Sequence, residues 1–414
     1  MPFLGHRAVR AALFLAFFAL YLATGRSLGR TGVFDHDDAL FQSDTSRAAR
    51  DLTEPGADHY RTKVHPLFVI LFNPAGTLLC KATDSPYLAA ALLVSAAGAL
   101  CVVAAHVFFT AIGHGPVAAL TLSCLLGVSA SHLLFASIPD TFIFTALSFV
   151  VCACLALRRP GSLKAGVPAV AFALGMATTN IAPSSLLFFG GARKETGFWK
   201  SVGRSAALVL LALTIAAGLS LLQKAIYPSS NLFFARESFR EDVEYVFHPK
   251  NAKQARIRKL VLLRHLAVFD VVAPEIQDRT PKGSPVPWVT FHKATLSDIH
   301  GAGRAAVILL LALDLLALYG ILRRRLFLEP VLQSLILGIL FLATLHYYYG
   351  DDLFLYSCSW LFLVLAVMAW GLQGFAQAGP RWTQAVNGLL IGLLILTAVN
   401  NLAFLRSLAG LYLL

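Results

Sequence analysis

Charge is scarce in this chain. Only 14% of its 414 residues are Asp, Glu, Lys or Arg, against roughly 25% in soluble domains; 57% are hydrophobic and mean hydropathy is +0.70. Water is therefore not the solvent for most of its surface. Spanning a hydrocarbon core takes about 20 apolar residues at a rise of about 1.5 Å each, and such runs recur along the sequence. That recurrence excludes a soluble domain held by one anchor.

Patterned cysteine is missing too. Cys80, Cys101, Cys124, Cys152, Cys154 and Cys358 lie in or beside apolar runs, and none has zinc-site or CxxC spacing. They read as small buried hydrophobes. No A-x-A cleavage pattern follows the apolar run Ala11 to Leu22, so this run, behind Arg7 and Arg10, reads as an uncleaved first span and not a secretory signal. Internal repeats and low-complexity stretches are absent as well. Acidic residues are outnumbered 22 to 34, for a formal net charge of +12. In a membrane protein that excess reflects basic cytoplasmic loops, not nucleic-acid binding.

Apolar segments fall at roughly 8–25, 64–80, 87–112, 116–136, 139–157, 165–190, 203–222, 303–322, 329–349, 353–372 and 386–405. They predict an all-α polytopic membrane protein of about 10–11 transmembrane helices, with short juxtamembrane helices in the first outer loop. Three parts follow: a membrane module over 1–222, an extracytoplasmic loop over 223–302 and C-terminal membrane helices over 303–414. Arg7 and Arg10, Arg158, Arg159 and Lys164, Arg193, Lys194, Lys200 and Arg204, and Arg323 to Arg325 mark the cytoplasmic side. Loops 26–63, 223–302 and 347–352 then lie outside.

This orientation carries a conflict. Segment 139–157 must start outside, yet three apolar segments separate it from the outer loop 26–63, and only two can cross. Either 64–80, which carries Asn73-Pro74, or 116–136, with Ser129, Ser131 and His132, is incomplete. An incomplete span needs protein or a water-filled cavity over its free backbone groups. Segment 165–190 has basic flanks on both sides and a break at Thr178 to Pro183, so it should enter and return as two short helices. In the large loop, Lys253 to Leu266 alternates Ile257, Leu260, Val261, Leu263 and Leu266 with Arg256, Arg258, Lys259 and Arg264. That pattern suits a helix lying on the membrane surface among lipid phosphates.

Five of the 22 acidic residues sit between positions 35 and 51. Aspartates in such a loop ordinarily cap a helix, and Asp37, Asp38 and Asp44 all qualify. The loop continues through Gln42-Ser43-Asp44-Thr45-Ser46-Arg47 to Arg61-Thr62-Lys63-Val64-His65-Pro66-Leu67, at the start of the next apolar element. Further on, Ser137-Ile138-Pro139-Asp140-Thr141-Phe142 puts an aspartate at the outer start of a later span. With Thr178-Thr179-Asn180 and the large outer loop, these features resemble the multi-spanning glycosyltransferases that use polyprenyl-phosphate-linked sugars. That C-fold superfamily includes protein O-mannosyltransferases and the lipid A aminoarabinose transferase. The resemblance covers roughly the first 220 residues. The acidic pair before a tyrosine that is frequent in the family has no clear counterpart, so the identity of the base stays open.

The resemblance implies an inverting transfer, at the outer face of a plasma or bacterial inner membrane, from a polyprenyl-phosphate-linked sugar to a lipid, glycan or protein acceptor. It implies a catalytic base in the first outer loop, Asp44 first and Asp38 and Asp37 behind it. Asp140 would assist, or hold a divalent metal ion together with Asp44. Such a reaction needs a carboxylate within about 3 Å of the acceptor hydroxyl and positive charge on the departing phosphate. Arg47, Arg61 and Lys63 in the first loop and Arg256, Lys259 and Arg264 in the large one are candidates for that clamp, and His65 for orienting a phosphate or carboxylate. Two other classes fit the composition: a secondary transporter or lipid flippase, with paired broken helices in related halves and a role for the mid-span Asp314, and a non-catalytic scaffold whose outer carboxylates point apart.

Overall fold

The structure, a computed structural model, describes residues 2–235, 246–376 and 379–413. Its helices are α1 (Pro2–Gly29), α2 (Thr45–Thr53), α3 (Phe68–Thr83), α4 (Pro86–Ala111), α5 (Pro116–Val128), α6 (Ala130–Phe135), α7 (Phe142–Arg158), α8 (Leu163–Met176), α9 (Ile181–Thr196), α10 (Phe198–Ile226), α11 (Ala252–Arg264), α12 (Gly301–Arg323), α13 (Pro330–Tyr348), α14 (Leu353–Ala376) and α15 (Pro380–Leu411). Among the described residues seven are long and apolar enough to cross a bilayer alone: α1, α4, α10, α12, α13, α14 and α15. The chain is an all-α polytopic integral membrane protein. α14 and α4 are the most buried of the seven and form its centre; α1 and α10 are the most open to lipid.

The basic clusters around 158–164, 193–204 and 323–325 share one face, where Gly161 meets Arg204 and Lys194 bonds Glu329 before α13. Near the basic face the His114 ring, after α4, bonds the Ala369 carbonyl of α14 at 2.9 Å. At the other face Tyr412, after α15, donates to the Ala39 carbonyl. α3 resolves the crossing conflict. Before it, Leu67 N–H donates to Gly175 O and the Pro66 carbonyl accepts from Gln223. After it, the Tyr87 hydroxyl reaches Asp35 in the first loop at 2.5 Å. Both ends of α3 are thus at the first-loop face, and the segment 64–80 is the incomplete one. It lies against α2, where the Asn73 amide donates to Asp51 O and Gly76 lets the helices touch: a Cβ there would sit 2.0 Å from the Leu52 carbonyl oxygen.

Segment 116–136 forms α5 and α6 with a break at Ser129. The backbone amides freed there are not exposed to lipid, because Ala130 and Ser131 donate to the Val271 and Asp270 carbonyls of the large loop, as irregular backbone at this depth requires. Segment 165–190 forms α8 and α9, entering and returning around a short 3-10 turn at Thr178–Asn180.

In the large loop, positions 236–245 lie outside the described residues. The rest holds α11, a π-helical turn at His265–Phe269 and a two-stranded antiparallel ribbon, β1 (Gln277–Asp278) with β2 (Val289–Thr290), registered Gln277 to Thr290. This ribbon grips the first loop: Phe41 N–H donates to Val289 O, and Val289 N–H to Ala39 O. The Phe41 ring is buried between Phe291 and Phe354 at 4.7 Å from each. Gripping costs backbone strain, since Asp38, Phe41 and Gln42 have φ of 67°, 54° and 61°, each worth about 1–3 kcal/mol.

Candidate functional site

The strained turn ends where α2 begins, and Asp44 takes the N-cap position without making a side-chain cap bond. Capping is done from a distance by Asp37, whose Oδ1 accepts from Ser46 N–H at 2.8 Å and Arg47 N–H at 3.2 Å. The Asp44 side chain is left for other work. Its Oδ2 accepts two bonds from Arg47, at 3.0 Å from Nε and 2.6 Å from Nη2. Arg47 is buried and donates its remaining arm to Asp51 at 2.8 Å, and Asp51 in turn holds the His59 ring at 2.7 Å. One face of α2 is thereby a closed ionic chain with Asp44 at its open end.

That end faces a cavity of about 350 Å³. Asp44, Arg47, Arg61 and His65 line it from the first loop, Asp140 from the turn before α7, and Thr178, Thr179 and Asn180 from the α8–α9 turn. His346, Tyr349 and Tyr356 close it from α13 and α14, with Phe142, Leu342, Leu345 and Leu355 as an apolar wall. A polar floor of opposite charges beside an aliphatic wall suits an amphiphile with an anionic head.

The two carboxylates differ in state. Burial works to raise the Asp44 pKa, but Arg47 and Arg61, with the Arg47 hydrogen bond, outweigh it and hold the group below the usual carboxylate range. Asp140 is 2% exposed. Burial first, then repulsion from Asp44, pushes its pKa up to about 7 against the pull of Arg47. Its Oδ1 accepts from Thr141 N–H at 2.5 Å, while Oδ2 is buried with no hydrogen-bond partner among the described residues. At neutral pH one carboxylate is charged and the other is poised to gain or lose a proton.

Arg61 is held differently from Arg47, which is buried and paired with Asp44 and Asp51. Arg61 is half-buried in the cavity wall, and its Nε has no hydrogen-bond partner among the described residues. His65 is buried, and burial followed by the charges of Arg47 and Arg61 brings its pKa down to about 3. It is therefore neutral, and its Nδ1, 2.5 Å from the Met176 carbonyl, must carry the ring proton. Only the Nε2 lone pair remains, so His65 can accept from a hydroxyl but cannot donate to a phosphate or carboxylate.

Other candidates lie elsewhere. Asp38 is in the strained turn with its pKa raised by burial and by its neighbours Asp44 and Asp37, and it does not line the cavity. Lys63 is buried but outside the lining. Arg256 and Lys259 are exposed on α11, and Arg264 donates to the Ala294 carbonyl at 2.9 Å; none of the three reaches the cavity. The large-loop arginine that matters to the cavity is Arg258, between them in sequence. Its guanidinium is buried against the carbonyl end of α13 and the following turn, donating to His346, Gly350 and Asp351 carbonyls at 2.7, 2.5 and 2.8 Å. A cation at that end also complements the helix dipole. Arg258 so fixes the turn that carries Tyr349. Sequence gave no sign of this, because helix phase alone separates Arg258 from its neighbours.

Asp44 and Asp140 are the two carboxylates at the cavity. No group of three His, Cys, Asp or Glu that could hold a metal occurs among the described residues, Asp44 Oδ2 is occupied by Arg47, and two guanidinium groups already bring positive charge to the cavity. No protein-family model matches the chain, and no curated protein matches it either.

Proposed function

We propose that this chain is an inverting glycosyltransferase that moves a sugar from a polyprenyl-phosphate donor to an acceptor hydroxyl in this cavity. The observation that carries the reading is the meeting, in one cavity with an aliphatic wall, of an ionised carboxylate, a second carboxylate of raised pKa and an arginine whose Nε has no partner among the described residues. In this reading the N-terminus is cytoplasmic and the cavity opens on the outer side, which the positive charge of loops 158–164, 193–204 and 323–325 supports.

In this reading Asp44 takes the acceptor's proton as the hydroxyl oxygen bonds to the anomeric carbon. The bond from that carbon to the phosphate oxygen breaks, its electron pair leaves with the polyprenyl phosphate, and Arg61 stabilises the growing charge. Neutral His65 accepts a hydrogen bond from a sugar or acceptor hydroxyl, and Asp140 holds or releases a proton beside them. The acceptor is a lipid, glycan or protein. The convergence of Asp44, His65 and Asp140 argues against a scaffold, whose outer carboxylates have no reason to meet.

Vesicles containing the protein, given a panel of labelled polyprenyl-phosphate sugars, should transfer label from at least one donor. Undiminished transfer by an Asp44→Asn, Asp37→Asn, Asp38→Asn triple variant would remove the first loop from the role of base.

A further inference from the structure

α11 carries Lys253, Arg256, Arg258, Lys259 and Arg264 and no acidic residue. Its inner side is fixed by burial of Arg258, Val261 and Leu262, and through Arg258 it is joined to the carbonyl end of α13. That end of a span marks the level at which the chain leaves hydrocarbon, and Tyr347 and Tyr348 stand there as interfacial aromatics do, Tyr348 exposed. α11 is therefore held at the membrane interface.

Its outer side is a stripe of Ile257, Leu260 and Leu263, exposed to 45%, 42% and 49%, at helical spacing on one face. Exposed Lys253, Arg256 and Lys259 run beside it as a parallel row, each four residues before one of the three. A neighbour that covers this side must be apolar where the stripe lies and anionic where the cations lie. At the interface, a leaflet containing acidic phospholipid has both properties.

We propose that α11 docks into a leaflet of anionic phospholipid, with Ile257, Leu260 and Leu263 among the upper acyl segments and Lys253, Arg256 and Lys259 on the headgroup phosphates. The inference does not depend on sugar transfer, since no cavity residue takes part. The opposite edge of α11 holds the turn bearing Tyr349, so the docked lipid and the cavity rim are two sides of one helix.

The full-length chain in nanodiscs tests this, with phosphatidylcholine alone or mixed with phosphatidylglycerol. In a Leu263→Trp variant, lipids brominated near the headgroup should quench the added fluorescence more than lipids brominated near the chain end, and phosphatidylglycerol should strengthen the quenching. Extracted from mixed membranes, the parent should retain phosphatidylglycerol over phosphatidylcholine. A Lys253→Glu, Arg256→Glu, Lys259→Glu variant should lose that preference by at least about tenfold, and the Lys253→Arg, Arg256→Lys, Lys259→Arg variant should keep it. Absence of quenching beyond the parent, quenching indifferent to phosphatidylglycerol, or a preference unchanged by charge reversal would overturn the proposal.

Discussion

Asp140 illustrates how burial writes itself into stability. Its folded pKa of about 7 lies above the roughly 3.9 of a free aspartate, so the folded state binds the proton more tightly than the unfolded one. Below about pH 4 both states are protonated and the residue costs nothing; the cost grows as pH rises and is complete above about pH 7. Asp140→Asn should therefore raise the melting temperature at pH 8 and lose that advantage by pH 4. A difference that does not depend on pH would contradict the assignment. Asp44 has the opposite sign: held low by Arg47 and Arg61, it stabilises above the free pKa and ceases to do so as acid protonates it. Two aspartates that look alike in sequence are separated by one buried arginine, and neither Arg47's burial nor the orphaned Asp140 Oδ2 is visible before the chain is folded.

At the scale of elements, the seat of α2 on α3 decides where Asp44 stands. Gly76→Ala would drive a methyl group into the Leu52 carbonyl oxygen, a backbone atom that cannot rotate away. Overpacking of this kind costs about 1–3 kcal/mol or more, and thermal unfolding in detergent should show a clear loss, while Gly218→Ala, with open space at its Cβ, should not. Much of this level was legible in the sequence. The broken hairpin over 165–190 followed from its proline and basic flanks, and the surface helix near Lys253 from its alternation. Burial of Arg258 in place of Arg256 was not legible, because on a helix with five cations only the carbonyl end of α13 selects one. The ribbon that grips Phe41 was hidden for a related reason: its strands are two residues each, too short for any alternation to register.

For the whole molecule, charge asymmetry between loops and the parity of spans located the incomplete segment as one of two candidates, and packing chose between them. The chain on either side of α3 should lie on one side of the membrane. Impermeant maleimide should label the exposed positions Asp58→Cys and Asp84→Cys from the same side in a variant freed of native cysteines, and the exposed Lys164→Cys from the other. Labelling of positions 58 and 84 from opposite sides would mean that α3 crosses. The proposed chemistry rests on one cavity in which an apolar wall meets charged side chains. The most direct test is the rate of sugar transfer from a labelled polyprenyl-phosphate donor by single variants in vesicles. Asp44→Asn should reduce it by about 10²–10⁴-fold at unchanged protein level, while Asp37→Asn, which keeps the Oδ1 that caps α2, should leave most of it; equal rates for Asp44→Asn and the parent would contradict the account.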